Sequence, residues 1–232
     1  MKKTSSNNNK IIIAVVVVIA FCFCCTSFLV TIFLFSSSTP STPTNPAAIR
    51  NLKFVDTFDN YKYGWDEVNK TSDTSGISRK ITGGKYLWSL ENRSKETIVI
   101  MGNPTIEKAK SMSASVEVNQ KAGGADVNYV LLSYYNDEKN FYSFKVNQYY
   151  QQYTVGVAEN GKWKDLLAWK SDAVVNWDKP NTLKVVCNNG TQTFYINGVE
   201  VFKTKDTTFT SGGIALSAQV QKKGVTGIWE FD

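Results

Sequence analysis

The sequence predicts an all-β domain in which two antiparallel sheets pack face to face. Short runs of β-branched and aromatic residues recur about every 8–12 residues from Leu52 onward, without the 3.6-residue period of helices. Apolar and polar side chains alternate within these runs, so one face of each strand packs and the other faces water. Three Asn-Gly pairs separate runs and favour the type I′ turns that join antiparallel strands.

The strands follow one another along the domain, with Asn-Gly turns at 160–161, 189–190 and 197–198. Tyr142, Phe144 and Val146 share one face of their strand. Cys187 shares a face with Leu183, which predicts a buried apolar cysteine rather than a reactive thiol. The predicted strands are residues 83–91, 111–120, 127–135, 140–148, 151–158, 182–188, 191–196, 199–204, 212–220 and 225–232.

An uncharged apolar run over residues 11–35 precedes the domain. As a helix it spans roughly 37 Å, enough to cross a hydrocarbon core of ~30 Å. Lys2, Lys3 and Lys10 precede the run, and the first acidic residue is Asp56, so the positive-inside rule places the N-terminus in the cytoplasm. We therefore expect a signal anchor in the cell membrane, with a single pass and an extracytoplasmic C-terminal domain. The alternative is a long signal peptide cleaved near Ser36–Ser38.

The predicted organisation has four parts: a cytoplasmic tail (1–10), the transmembrane anchor (11–35), a stalk (36–49) and the β domain (50–232). The stalk is rich in Pro, Ser and Thr, a composition that favours an extended chain without a core. Cys22, Cys24 and Cys25 lie inside the apolar run. They fit small apolar positions of a helix, with S-acylation as the functional alternative.

Composition excludes several classes of function. The chain contains no histidine, which removes Ser-His-Asp catalysis and His-ligated zinc. Three of the 26 basic residues precede the apolar run, so 23 basic residues face 20 acidic ones in the rest of the chain. These charges are interspersed, which argues against a nucleic-acid partner.

The order of motifs resembles the concanavalin A-like lectin/glucanase superfamily, in its laminin-G-like group found on bacterial surface proteins. The resemblance covers about residues 54–232 and implies a jelly roll. The motifs are F-x-D-x-F-D from Phe54, Gly64-Trp65, GGKYLW, LLSYYNDEKNFYSFKV, ENGKWKDLLAW, NTLKVVCNNGTQTFYINGVEV, SGGIALSAQ and IWEFD.

The resemblance leaves activity open, because the superfamily holds glycan-binding modules and glycosidases. The glucanase branch carries E-x-D-x-x-E on one strand, which supplies the two carboxylates of a retaining glycosidase. No such string is present, and Glu117 lacks the second acid. The sequence thus predicts no catalytic residue. Our first hypothesis is a carbohydrate-binding, lectin-like module for a glycan or cell-surface polysaccharide; the alternatives are a non-catalytic adhesion domain and, third, a hydrolase of keto-disaccharide hydrolase type.

Aromatic residues suggest the binding site, since sugar rings stack on Trp and Tyr beside polar groups. The family's pattern places Tyr134 and Lys145 on the face opposite Tyr142, and Gln152 on the neighbouring strand. Trp65, Trp88, Trp163 and Trp229 match positions that pack the core in the family. The predicted ligand-binding residues are Tyr134, Lys145, Tyr150, Gln152, Trp169 and Trp177.

No cofactor is predicted except a structural calcium, which the resemblance suggests. Asp56 and Asp59 lie near the first expected strand and Asp232 at the last, and the two strands are expected to pair. Carboxylate oxygens suit Ca²⁺. Exposed turn and edge carboxylates explain the same three residues without a metal.

Overall fold

The computed structural model describes residues 55–232. The predicted tail, membrane span and stalk lie outside this range. Within it, no helix combines the length and apolar character needed to cross a membrane. Residues 55–232 form fourteen strands and one 3₁₀ turn (Gly124–Asp126): β1 (Val68–Thr71), β2 (Ser75–Thr82), β3 (Lys85–Asn92), β4 (Ile98–Gly102), β5 (Ser111–Ala122), β6 (Val127–Asp137), β7 (Asn140–Asn147), β8 (Gln152–Glu159), β9 (Lys162–Ser171), β10 (Asn181–Asn188), β11 (Thr191–Ile196), β12 (Val199–Lys205), β13 (Gly213–Val220) and β14 (Thr226–Phe231).

The strands form two antiparallel sheets. One has eight strands in the order β1-β2-β3-β14-β5-β10-β11-β12, and the other has six in the order β4-β13-β6-β7-β8-β9. Consecutive strands β6 to β9 pair as neighbours, whereas β13 and β14 return from the end of the chain into different sheets. The predicted antiparallel two-sheet sandwich is confirmed.

The core lies between the sheets, where the inward faces of both meet. Tyr142, Phe144 and Val146 are fully buried there, as their alternation predicts. Trp65, Trp88 and Trp229 are buried in the same cluster, in agreement with the family pattern. Cys187 is 1% exposed, and burial raises the pKa of its thiol to about 12, so the thiol is not poised to react.

The three predicted Asn-Gly turns are confirmed. In each pair both residues have positive φ, between 47° and 83°, as a type I′ turn requires. They join β8 to β9, β10 to β11 and β11 to β12.

The sequence prediction omits β1, β2, β4 and β9, and three of these are edge strands. An edge strand pairs on one side only, so burial imposes a weaker alternation on its sequence. In β9, eight of ten residues are exposed.

Tyr134 lies in the core, which corrects its predicted place on the outer face. Its side chain is fully buried, its hydroxyl donates to Lys110 O at 2.7 Å, and its ring lies 6.1 Å from the Tyr142 ring. The pairing of β6 with β7 shifts register after Ser133, and Tyr134 has a φ of 43°. This β-bulge turns both Ser133 and Tyr134 inward, and simple alternation does not anticipate it.

Asp206 connects the loop after β12 to the core. Its Oδ1 accepts hydrogen bonds from the Tyr142 hydroxyl at 2.6 Å and from Thr208 N at 3.0 Å, and its Oδ2 lies 3.3 Å from Lys164 Nζ. Burial alone raises the pKa of Asp206, but the bonds from Thr208, Tyr142 and Lys164 outweigh it and bring the pKa to about 2. The ionised carboxylate therefore stabilises the fold.

Asp206→Asn is expected to lower the free energy of unfolding at pH 7 by about 2 kcal/mol. Because the folded-state pKa is depressed, the contribution is present above the unfolded pKa of about 3.9 and is lost as pH falls towards 2. Chemical unfolding of the wild type and of Asp206→Asn at pH 7 and at pH 2 measures the difference in unfolding free energy between the two proteins. The other carboxylates titrate in both proteins, so their effect on this difference cancels. An equal difference at the two pH values would contradict this role.

Candidate functional site

The outer face of the six-stranded sheet carries a second apolar cluster, separate from the core between the sheets. Val130 and Leu132 from β6 contact Phe141 from β7, Ala158 from β8 and Ala215 from β13. These residues alternate with the inward-facing residues of the same strands. These five residues are buried, so they form an apolar floor on this face beside the exposed side chains of Val99 and Trp163.

A groove of about 220 Å³ opens on this face; we call it the outer groove. Its lining residues come from β4, β13, β6, β7 and β9, so it runs across the strands. They are Val99, Met101, Val130, Leu132, Phe141, Ser143, Lys145, Trp163, Ser217 and Gln219.

Trp163 forms one wall of the outer groove, which corrects its predicted place in the core. The side chain is 45% exposed and stands on the edge strand β9, paired with Ala158. Its ring lies against Gly156, where an added Cβ would come within 2.2 Å of Trp163 Cζ2. The missing side chain at Gly156 thus lets the indole approach the sheet.

Asp165 orients the indole. Its Oδ1 accepts a hydrogen bond of 2.7 Å from Trp163 Nε1, and its backbone pairs with Gly156. With Gly156 beneath the ring and Asp165 at its polar edge, Trp163 is positioned before any ligand binds.

Lys145 lies on the predicted outer face, between Val130 of β6 and Thr154 of β8. Its Nζ lies 5.3 Å from the centroid of the Trp163 ring, within the range of a cation–π contact. Burial lowers the pKa of Lys145, and the charge of Asp165 partly opposes that shift. None of the ion pairs within residues 55–232 includes Lys145.

A row of amides borders the groove beyond Lys145. Asn147 Nδ2 donates to Asn128 Oδ1 at 3.1 Å, and Asn128 Nδ2 is 3.5 Å from Gln219 Oε1. Gln152, a predicted site residue, pairs with Asn147, and its Nε2 donates to Ser171 Oγ at 3.0 Å. Lys145 and Gln152 therefore share the outer face, but only Lys145 lines the groove.

Tyr150 and Trp177 lie apart from the outer groove, in loops at the end of the sheet. They are 55% and 66% exposed, and the Tyr150 ring meets the Tyr149 ring edge-on at 5.2 Å. Gln148 Nε2 donates to Trp177 O at 3.1 Å, which ties the two loops together. Both residues are exposed aromatic side chains outside the groove.

Trp169 lies on β9 and is 44% exposed. It falls where the pairing of β8 with β9 shifts register, and it is not among the groove-lining residues. A ligand that contacts Trp169, as predicted, would therefore bind at the exposed edge of the sheet and not in the groove.

The structure does not pair the strands expected to hold calcium. Asp56 and Asp59 precede β1 in a segment without strands, and β14, which ends before Asp232, pairs with β3 and β5. Asp56 accepts hydrogen bonds from Phe58 N at 2.8 Å and Trp65 Nε1 at 2.7 Å, and Asp232 pairs with Lys85. No cluster of three or more metal-binding side chains is found within residues 55–232.

Sequence reasoning missed most of the groove, including Trp163, Ser143, Ser217 and Gln219. One signal was present: Gly156 interrupts an otherwise regular strand, and a glycine there often marks a close approach by another group. Small or polar residues on the outer faces of several strands become a site only when the sheet order is known.

No protein-family model and no curated protein sequence matches the chain. Solved structures do resemble it. The carbohydrate-binding module CBM66 from Bacillus subtilis has a TM-score of 0.50 at 19% identity, over 72% of this chain and 91% of that one. A Bacillus licheniformis β-glucanase has a TM-score of 0.52 at 14% identity, over 77% and 94%. A glycoside hydrolase family 16 endo-glucanase from Bacteroides ovatus has a TM-score of 0.51 at 10% identity, over 77% and 98%.

The described domain shares the jelly-roll fold of these structures. The predicted superfamily resemblance is thereby confirmed at the level of fold. The neighbours that share this fold include both a carbohydrate-binding module and hydrolases. The fold alone therefore does not decide the function of this chain, which must be argued from the groove.

Proposed function

We propose that the jelly roll is a carbohydrate-binding module and that the outer groove holds its glycan. The observation that carries this proposal is Trp163, an exposed indole positioned by Gly156 and Asp165 at the wall of a groove. The C–H face of a sugar ring stacks on such a surface, while hydroxyls and amides at the rim bind its polar edge. Gln219 supplies an amide beside the groove, and the hydroxyls of Ser143 and Ser217, which are 3% and 1% exposed, line its floor.

The composition of the groove supports binding rather than hydrolysis. A retaining glycosidase needs two carboxyl groups about 5–5.5 Å apart, and an inverting one needs them about 6.5–9.5 Å apart. None of the groove-lining residues is a carboxylate, and Asp165 is engaged by Trp163 Nε1. The groove therefore lacks the acid–base pair that cleavage requires.

We further propose that residues 11–35 anchor the chain in a membrane and display the jelly roll outside the cell. The support is the uncharged apolar run and the basic residues that precede it. A cell-surface polysaccharide is then the partner. Calcium, if it acts at Asp56, Asp59 or Asp232, would be a structural ion away from the groove.

Trp163→Ala is expected to weaken glycan binding 10- to 100-fold, about 1.4–2.8 kcal/mol, because the stacking surface is lost. The purified full chain is screened on a glycan array, and hits are titrated by calorimetry. Trp177→Ala is the matched control, since it removes an exposed Trp outside the groove.

Three results distinguish the alternatives. Loss with Trp163→Ala but not with Trp177→Ala supports the groove. The reverse would move binding to the loops at the end of the sheet. Silence of the wild type across a broad array would favour the adhesion domain, for which Tyr149, Tyr150 and Trp177 provide an exposed aromatic surface.

A further inference from the structure

We infer that the outer groove selects a glycan that bears carboxylates, and that Lys145 binds a sugar carboxylate there. The inference rests on the proposed function, because it assigns a ligand class to the same groove. It arises from Lys145, the one charged side chain among the lining residues. Stacking of a sugar on Trp163 does not require a charge in the groove.

The surroundings of Lys145 leave its charge incompletely compensated. The side chain is partly buried between Val130 and Thr154, and its contact with the Trp163 ring is a cation–π contact rather than an ion pair. A buried ammonium without a close anion loses hydration that a bound carboxylate would replace. The lowered pKa of Lys145 agrees with this loss of hydration.

Asp165 does not fill this role. Its Oδ1 accepts the Trp163 Nε1 hydrogen bond at 2.7 Å, and it forms no ion pair with Lys145 within 4.0 Å. Its charge moderates the positive potential at Lys145, which remains the one charged side chain among the lining residues. One ammonium can pair with the single charge of a sugar carboxylate.

Lys145 and Trp163 are close enough to serve one sugar unit. Nζ lies over the Trp163 ring, 5.3 Å from its centroid, so a sugar that contacts the exposed part of the indole beside Lys145 would bring a ring carboxylate within reach of the ammonium. Uronic acids and sialic acids both carry such a group. Ser143 lies two residues before Lys145 on the same strand and the same face, and it also lines the groove.

The test compares matched polymers that differ only in charge. The full chain is titrated with polygalacturonate, alginate, hyaluronan and polysialic acid, and with each polymer after reduction of its carboxyl groups to alcohols. We expect at least tenfold tighter binding to one native polymer than to its reduced form. The polymer that shows this preference distinguishes the uronic-acid class from the sialic-acid class.

Lys145→Met is expected to remove the preference while binding to the reduced polymer persists. Lys184→Met is the matched control, because Lys184 also lies over an aromatic ring, that of Tyr195 at 5.5 Å, but on the other sheet. Circular dichroism confirms that both variants fold. Loss of preference in both variants would indicate general attraction of polyanions to a basic protein and would overturn the inference.

The two proposals fail in different ways. Equal binding to native and reduced polymers, binding only to neutral glycans, or an unchanged preference in Lys145→Met overturns the role of Lys145 and leaves the binding module intact. No binding to any native, reduced or neutral glycan overturns both.

Discussion

Replacing Trp88 with alanine is expected to lower the free energy of unfolding by about 3–5 kcal/mol. The indole is fully buried, with its ring centroid 5.1 Å from that of Phe231 and 5.4 Å from that of Tyr86. It also spans the two sheets: an added Cβ on Gly102 of β4 would lie 2.9 Å from Trp88 Cζ2. The cavity would therefore open where the sheets contact each other.

Denaturant titration followed by far-UV circular dichroism measures this loss. Trp177→Ala is the control, because its side chain is 66% exposed and its removal should change stability by less than about 0.5 kcal/mol. Trp88→Phe should cost less than alanine, since it keeps an aromatic ring in the core and leaves a smaller cavity. A loss below about 1 kcal/mol for Trp88→Ala would contradict the packing described here.

Gly212→Ala is expected to cost about 3 kcal/mol, at the upper end of the range for overpacking. An added Cβ would lie 2.3 Å from the Tyr134 carbonyl carbon and 2.5 Å from its Cα. These are backbone atoms of the bulge in β6, so no side-chain rotation relieves the clash. The bulge and Gly212 therefore depend on each other.

The neighbouring glycine provides the control. An added Cβ on Gly213 would meet only Tyr135 O, at an ordinary 3.7 Å, and its φ is not in the left-handed region. Gly213→Ala should therefore change stability by less than about 1 kcal/mol. Thermal unfolding of the two variants side by side gives the comparison, and equal losses would show that the bulge is not what Gly212 accommodates.

Strands with two neighbours were predictable from the sequence because burial on one face imposes a period of two. β7 and β10 show this through Tyr142, Phe144, Leu183 and Val185, all fully buried. The Asn-Gly turns were predictable because few other residues adopt two successive positive φ values. An edge strand pairs on one side only, so burial constrains its sequence less, and β1, β4 and β9 were missed although β9 follows the predicted Asn160-Gly161 turn.

The candidate site was less predictable because it depends on which strands become neighbours. Lys145 was placed on the correct face by alternation, whereas the bulge reversed the placement of Tyr134. Trp163 resembles a core residue in sequence, and only its position on an edge strand shows that it is exposed. Ser217 and Gln219 come from β13, about 70 residues after Lys145 in the chain, and join the groove through the sheet order.

The position of Trp163 on β9 has a consequence for how the protein can evolve. β9 is mostly exposed and pairs on one side only, so substitutions there remove little core packing. Most mutations destabilise a protein, and selection removes those that bring it below the stability that its function needs. The ligand preference proposed for the outer groove can therefore change through β9 while the sandwich stays folded.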